Sequence, residues 1–286
     1  MADAIPGTTP HHPTSPDPAG EPGTGAERWE AYWKSVPPAR TGDTPGTGGD
    51  ADPGEGVVLW DTPAVLAPGA PLLFAGTGGG ADHPDLPDLP VVDVGCGNGT
   101  RTRALAARFS RVIGIDVSTT AVELARRAAE EDPGPTPEFR RADAADPDTV
   151  RALHAELGDC HVYLRGVLHQ APPGVREALA AGVATLVGSR GRALVVEPAA
   201  AAEPVLRSLM ERPQGPPASL AAVFAAGLTP ADLPDAEIPR LLREAGLEVL
   251  ESEPVPLGTT ARRPDGGPVE LPAHRLLLGR APAPSH

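Results

Sequence analysis

The segment Val91-Val92-Asp93-Val94-Gly95-Cys96-Gly97-Asn98-Gly99-Thr100 decides how this chain folds. A short apolar run closes on an acidic residue, and three glycines then follow at alternate positions. Arg101 to Phe109 comes next, with helix-forming composition and spacing. Strand, glycine turn and helix together make the layout of a nucleotide-binding corner. Glycine tolerates φ > 0 and lets a ligand approach bare backbone. The helix that begins here offers free N–H groups in its first turn.

A dinucleotide fingerprint runs G-x-G-x-x-G. Here the register is Gly95-x-Gly97-x-Gly99, with Thr100 where the third glycine would fall. That spacing speaks against a nicotinamide cofactor. The block from Val92 to Thr100 instead resembles the first motif of class I S-adenosylmethionine (SAM) dependent methyltransferases. The resemblance implies that this loop wraps the amino-acid part of SAM, with Asp93 helping to position the cofactor amino group and Gly95, Gly97 and Gly99 forming the cradle. Cys96 and Thr100 belong to the same implied cofactor set.

The following segments fit this scheme. Arg111 to Ser118 reads as a second buried strand ending in an acid, Asp116, 17 positions beyond Gly99. An acid at the end of the second strand can accept hydrogen bonds from both ribose hydroxyls, with Val117 beside it. Ser118 or Thr119 is placed to cap a helix over 121–129. Pro137 to Ala144 resembles a third family signature, a strand closing in Asp-Ala. This implies that Asp143 accepts a hydrogen bond from the adenine amino group and that the Ala144 N–H bonds a ring nitrogen.

Composition narrows the partners. The chain has 286 residues, enough for one α/β domain with appendages, and a formal net charge of −14. No Lys/Arg cluster exceeds a pair, and Lys34 is the only lysine. A nucleic-acid partner needs a basic stripe and is disfavoured. The two cysteines, Cys96 and Cys160, make no disulfide framework, and a reduced, cytoplasmic setting is expected. There is no secretory signature at the start and no apolar run long enough for a membrane.

Residues 1–25 are expected to be a disordered tail, whose His11-His12 pair lacks the further ligands a metal site needs. Glu27 to Lys34 predicts a short helix carrying Trp29, Tyr32 and Trp33 on one face. In a chain only 3% aromatic, this face suits a lid over cofactor or substrate, although core packing would explain it too. Residues 41–56 and 76–88 read as flexible runs, and Val57 to Asp61 as a turn bringing Trp60 near the site. Residues 26–89 thus form an N-terminal helix and cap segment, and the compact fold is expected to begin near Leu89.

Further strands are expected at 160–166, 192–198, 247–253 and 274–279, with helices at about 147–157 and over 239–246. Alternating β and α units predict a doubly wound, seven-stranded, mostly parallel sheet with helices on both faces and a C-terminal antiparallel hairpin. Residues 90–286 would make the SAM-binding domain. The 199–237 stretch is too long for a plain connection and reads as an apolar lid insertion over the acceptor pocket.

Ligands of such sheets lie beyond the carboxyl ends of the strands, which brings Arg165-Gly166-Val167-Leu168-His169-Gln170 beside the transferable methyl. Leu164 to His169 resembles the fourth motif of many small-molecule methyltransferases. In those an acid often opens the strand; here Cys160 stands there, after Asp159. His169 is the candidate base, Glu197 a second one, and Arg165 a candidate for bonding a substrate carboxylate or the cofactor. His161, four residues deeper on the strand, reads as structural. The chain is therefore expected to methylate an oxygen, or a nitrogen, of a small molecule or peptide in specialised metabolism. The rivals are a SAM-binding scaffold without catalysis and an NAD(P)-dependent oxidoreductase. The oxidoreductase wants a glycine at position 100 and a Tyr/Lys pair near the sheet.

Overall fold

The computed structural model describes residues 24–37, 58–62, 88–228 and 233–280. The expected tail up to residue 23, the His11-His12 pair and the runs 41–56 and 76–87 lie outside them. Seven strands form one sheet in the order β3-β2-β1-β4-β5-β7-β6. β1 (Val91–Val94), β2 (Val112–Asp116), β3 (Glu138–Arg141), β4 (His161–Arg165) and β5 (Arg192–Pro198) run parallel. β7 (Pro268–Arg280) is antiparallel to β5 and to β6 (Leu247–Arg262).

The central strands are short and apolar because helices cover both their faces. On one face, Val92, Val94, Ile113, Ile115, Val162, Leu164 and Val195 pack against α4 (Pro147–Leu157), α5 (Val175–Val187) and α8 (Glu237–Glu244). On the other, Val91, Val112, Tyr163 and Leu194 meet Leu105 and Ala106 of α2 (Thr100–Ala106). Phe139 of β3 packs on α3 (Thr119–Glu130). Each fully buried Val, Leu or Ile contributes roughly 1.5–3 kcal/mol by leaving water.

The strand order reverses between β1 and β4. The chain winds outward from β1 through β2 to β3, then returns to β4 on the far side. The two connections diverge there and leave a crevice at the carboxyl ends.

Two features exceed the sequence reading. α1 (Gly25–Ser35) starts with a capping box, Thr24 with Glu27, and is built into the fold. Tyr32 is 0% and Trp33 2% exposed, so the packed structure begins well before Leu89. The hairpin is also longer than expected. The expected strand ended at 253, yet β6 runs on through Pro254 and Pro256, because it is the edge strand, where proline is tolerated. Beyond the Pro198–Ala273 pair β5 has ended, and the hairpin continues alone past the sheet. The 199–237 stretch supplies α6 (Ala202–Met210) and α7 (Ala218–Ala225) above that end.

Candidate active site

A cavity of about 480 Å³ opens over the carboxyl ends of β1 and β4, a size suited to a cofactor-scale ligand. Asp93, Gly95, Cys96, Thr100, Asp116, Val117, Asp143, Ala144, Arg165 and His169 all line it. Gly97 and Gly99 are not among its lining residues, and each glycine of the loop is required for a different reason. A Cβ on Gly95 (φ 71°) would stand 2.6 Å from Val167 Cγ2, so the β4 loop closes directly onto it. One on Gly97 (φ 54°) would strike the Trp33 ring at 2.6 Å. One on Gly99 (φ 77°) would strike Phe139 Cζ at 2.6 Å and Ala125 Cβ at 2.9 Å. The second glycine thus admits the N-terminal helix, and the third admits β3 and α3.

The acids are held as carboxyl groups under strain of burial. Asp93 is 3% exposed and accepts a hydrogen bond from the Thr102 hydroxyl at 2.6 Å. Burial lifts its carboxyl to about 6, against the pull of Thr102 and Arg101. Asp116 accepts from the Gly97 N–H at 3.0 Å and the Ser118 N–H at 2.9 Å, which ties the glycine loop to the end of β2. Burial outweighs these bonds and brings Asp116 to about 6 as well. Each of its oxygens keeps acceptor capacity beyond the one backbone donor. Asp143 is exposed at the rim and accepts from the Ala145 N–H at 2.8 Å.

At the end of β4 the chain turns through Gly166 (φ 68°) into a 3₁₀ turn, Leu168–Gln170. Glu197, the penultimate residue of β5, organises this turn. Its Oε1 accepts from the N–H groups of Val167 and Leu168, both at 2.9 Å. Its Oε2 accepts from the His169 N–H at 3.2 Å and meets His169 Nδ1 at 2.6 Å. Arg176 adds bonds to the carbonyls of Leu168 at 3.0 Å and Ala171 at 2.6 Å. His169 is 9% and Glu197 3% exposed. The carboxylate can accept from Nδ1–H, and the tautomer that donates this bond keeps its lone pair on Nε2. Sequence reading had placed Glu197 as a separate base; the structure makes it the orienting partner of His169.

Arg165 and Arg101 reach the same carbonyl. Arg165 Nη1 donates to Trp60 O at 2.8 Å and its Nη2 to Gly258 O at 3.1 Å. Arg101 Nη2 donates to Trp60 O at 3.0 Å and Thr62 O at 2.6 Å. Asp61 Oδ2 accepts from Asn98 Nδ2 at 2.8 Å. The 58–62 segment is thereby clamped over the loop, as the turn at Trp60 suggested. Arg101, Tyr163 and Asn98 carry no signal of their own, since each reads as an ordinary residue of its helix, strand or turn.

The aromatic face of α1 also arrives here. Trp29 and Trp33 line the cavity, and Trp29, Tyr32 and Trp60 meet with ring centroids 5.4–5.8 Å apart. Glu30 anchors this helix on α3. It accepts from the Ser118 hydroxyl at 2.7 Å, the Thr120 hydroxyl at 2.7 Å and the Thr120 N–H at 3.2 Å. Burial raises its carboxyl, but these bonds prevail and hold it at about 2. Both readings of the aromatic face thus apply: it packs on α3 and α7 and covers the cavity. At the start of β4 Cys160 is buried, and Asp159 instead ties α5 to β5 through Ser189 and Arg190. His161 Nδ1 accepts from the Arg192 N–H at 3.1 Å, in keeping with a structural role.

Among the described residues no helix is long and apolar enough to cross a membrane. Residues 91–191 match the family model described as "Methyltransferase domain". A ubiquinone biosynthesis O-methyltransferase from Actinobacillus pleuropneumoniae serotype 7 is 36% identical over 84 residues, which is 29% of this chain and 36% of the relative. The match thus spans little more than a third of that curated relative. A solved SAM-dependent methyltransferase from Anabaena variabilis superposes with a TM-score of 0.69 at 27% identity, covering 90% of this chain and 96% of that one. Another from Methanosarcina mazei shares the fold, with a TM-score of 0.50 at 16% identity over 70% of this chain and 97% of that one. Residues 91–191 are thus similar to a methyltransferase domain, and the buried acids, the bare glycine backbone and the cavity at the strand-order switch all belong to that stretch or open over it.

Proposed function

We propose that this chain moves a methyl group from SAM to a hydroxyl oxygen of a small organic or peptide acceptor in specialised metabolism. The observation that carries the oxygen reading is the His169–Glu197 pair. When bound, the cofactor supplies a methyl on a positively charged sulfur, displaced in line by the acceptor with a neutral leaving group. The protein's task is then alignment, which contributes much of the acceleration, and removal of the hydroxyl proton. His169 Nε2 takes that proton, and Glu197 stabilises the imidazolium that results. The chamber above is walled by Leu206, Leu220, Val223 and Phe224 of the insertion and by Leu257 and Leu271 of the hairpin. Such walls fit an acceptor with an apolar body.

In this reading Asp116 receives the ribose hydroxyls, Asp143 and Ala144 the adenine edge, and the loop at Gly95 the amino-acid end near Asp93. Asp116→Ala is expected to weaken binding of the product S-adenosylhomocysteine by roughly 1–3 kcal/mol, the worth of charge-assisted hydrogen bonds. Titration calorimetry measures this directly, and unchanged affinity removes Asp116 from the site. The pH dependence has a definite sign. Only the ionised carboxylate accepts from both hydroxyls, and Asp116 and Asp93 take up protons near pH 6. Affinity should therefore be level above about pH 7 and fall below pH 6. Asp116→Asn should blunt that fall.

The activity itself is tested by incubating the protein with SAM and a panel of phenols, hydroxy acids and short peptides, with products read by mass spectrometry. Methylated hydroxyls support the proposal. Methylation confined to amines would move the acceptor atom to nitrogen. Tight S-adenosylhomocysteine binding with no product from any acceptor would favour a SAM-binding scaffold.

A further inference from the structure

The 3₁₀ turn that carries His169 has weak bonds of its own. Gln170 N–H reaches the Val167 carbonyl and Ala171 N–H the Leu168 carbonyl, both at 3.2 Å. So short a piece of this helix, with its poorer bond geometry, holds little by itself. Two charged side chains hold it from outside. Glu197 accepts from the N–H groups of Val167, Leu168 and His169. Arg176 serves the carbonyl side, donating to Leu168 O from Nε at 3.0 Å and to Ala171 O from Nη2 at 2.6 Å.

For stability alone, arginine is a poor residue at position 176. It is 4% exposed and stands in the first turn of α5, where the helix dipole disfavours a cation. Among the described residues no carboxylate forms an ion pair with it. Glu237 of α8 feels its charge from further off but is engaged with Arg240. A buried cation without a paired anion is costly, and an apolar side chain would fill the place at less cost.

We infer that Arg176 is a positioning residue of the reaction, acting through the 167–171 turn to keep the His169 ring on Glu197 and its Nε2 toward the acceptor. This rests on the reading of His169 as the base. The acid grips the N–H side of the turn and the guanidinium its carbonyl side, so the turn cannot rotate without breaking bonds to both. The demand for precision comes from the chemistry, since a misplacement of about 1 Å can lower a rate about 10²-fold.

Nitrogen NMR on the full chain, isotope-labelled at histidine and held near pH 8, reads the ring directly, with His169→Ala assigning its signals. The wild type should show Nδ1 protonated and Nε2 bare. In Arg176→Met the two nitrogen shifts should converge as the ring exchanges between tautomers. Arg176→Lys keeps the charge and can still donate, so it should retain most of the separation. Circular dichroism checks that each variant folds, and Arg176→Gln, which retains one amide donor group, carries the test if the Met variant does not. These signals need no acceptor. With a phenol that the wild type methylates, Arg176→Met should lower kcat about tenfold or more with little change in the KM for the phenol. In a His169→Ala background it should lower kcat no further. Unchanged ring signals in Arg176→Met, or equal kcat losses in both backgrounds, would make Arg176 a strut of the fold and overturn the inference. A wild type with its proton on Nε2, or a normal rate in His169→Ala, would instead overturn the base reading beneath it.

Discussion

Replacing His169 with alanine is expected to slow methyl transfer to a hydroxyl about 10²-fold or more, the usual contribution of a placed general base. The affinity for S-adenosylhomocysteine should barely change. Glu197→Gln tests the same pair from the other side. The amide would turn an N–H toward Nδ1 and favour the tautomer that carries its proton on Nε2, where a base needs a lone pair. It would also leave one backbone donor of the 167–169 turn facing another donor. The rate should therefore fall with kcat rather than through cofactor binding. Single-turnover assays with an active acceptor check this. A near-normal rate for His169→Ala reduces the residue to packing, and would mean that the acceptor arrives already ionised or that its nucleophile is not a hydroxyl.

The second large effect is on stability. Gly99→Ala should destabilise the protein by about 2–6 kcal/mol. About 1–3 kcal/mol of this comes from forcing an L-residue into the left-handed region and about 1–3 kcal/mol from overpacking. Its Cβ would lie 2.6 Å from Phe139 Cζ, and β3 would have to shift to receive it. Phe139→Leu separates the two parts, since a smaller side chain relieves the overpacking of Gly99→Ala and leaves the backbone cost, about 1–3 kcal/mol. For a domain of this size the Gly99 variant should melt roughly 4–24 °C lower. Equal shifts for Gly99→Ala with and without Phe139→Leu would mean that Phe139 yields without cost.

The parallel half of the fold was legible because its signals are local. Val91 to Thr100 carries strand, turn and helix start within ten positions, and Asp116 follows one unit later. What escaped reading depends on distance along the chain. Glu197 orients His169 from 28 residues away, and Arg165 bonds Trp60 from 105 residues away. No pattern within a segment announces such pairs. Arg101 reads as one polar residue of an ordinary helix, and only the fold shows that it turns inward under the 58–62 segment. The hairpin was underestimated because Pro254 and Pro256 look like stops unless the strand is known to be an edge. The packing of α1 rests on Glu30 meeting Ser118 and Thr120, a contact that its own aromatic stripe does not specify.

The overrun of the β6–β7 hairpin separates two design problems that share one cavity. Leu257, Thr259 and Leu271 bound the chamber from strands that hold none of the glycine loop and none of the buried acids at its floor. In the proposed reading the turn at 263–267 can be rebuilt without touching the methyl-donor end, whereas Gly258 and Thr260 hold Arg165 and the 58–62 segment and must stay. On that reading acceptor selectivity separates from donor binding only away from those two residues, and mutational libraries aimed at it belong on the turn and on α6 and α7.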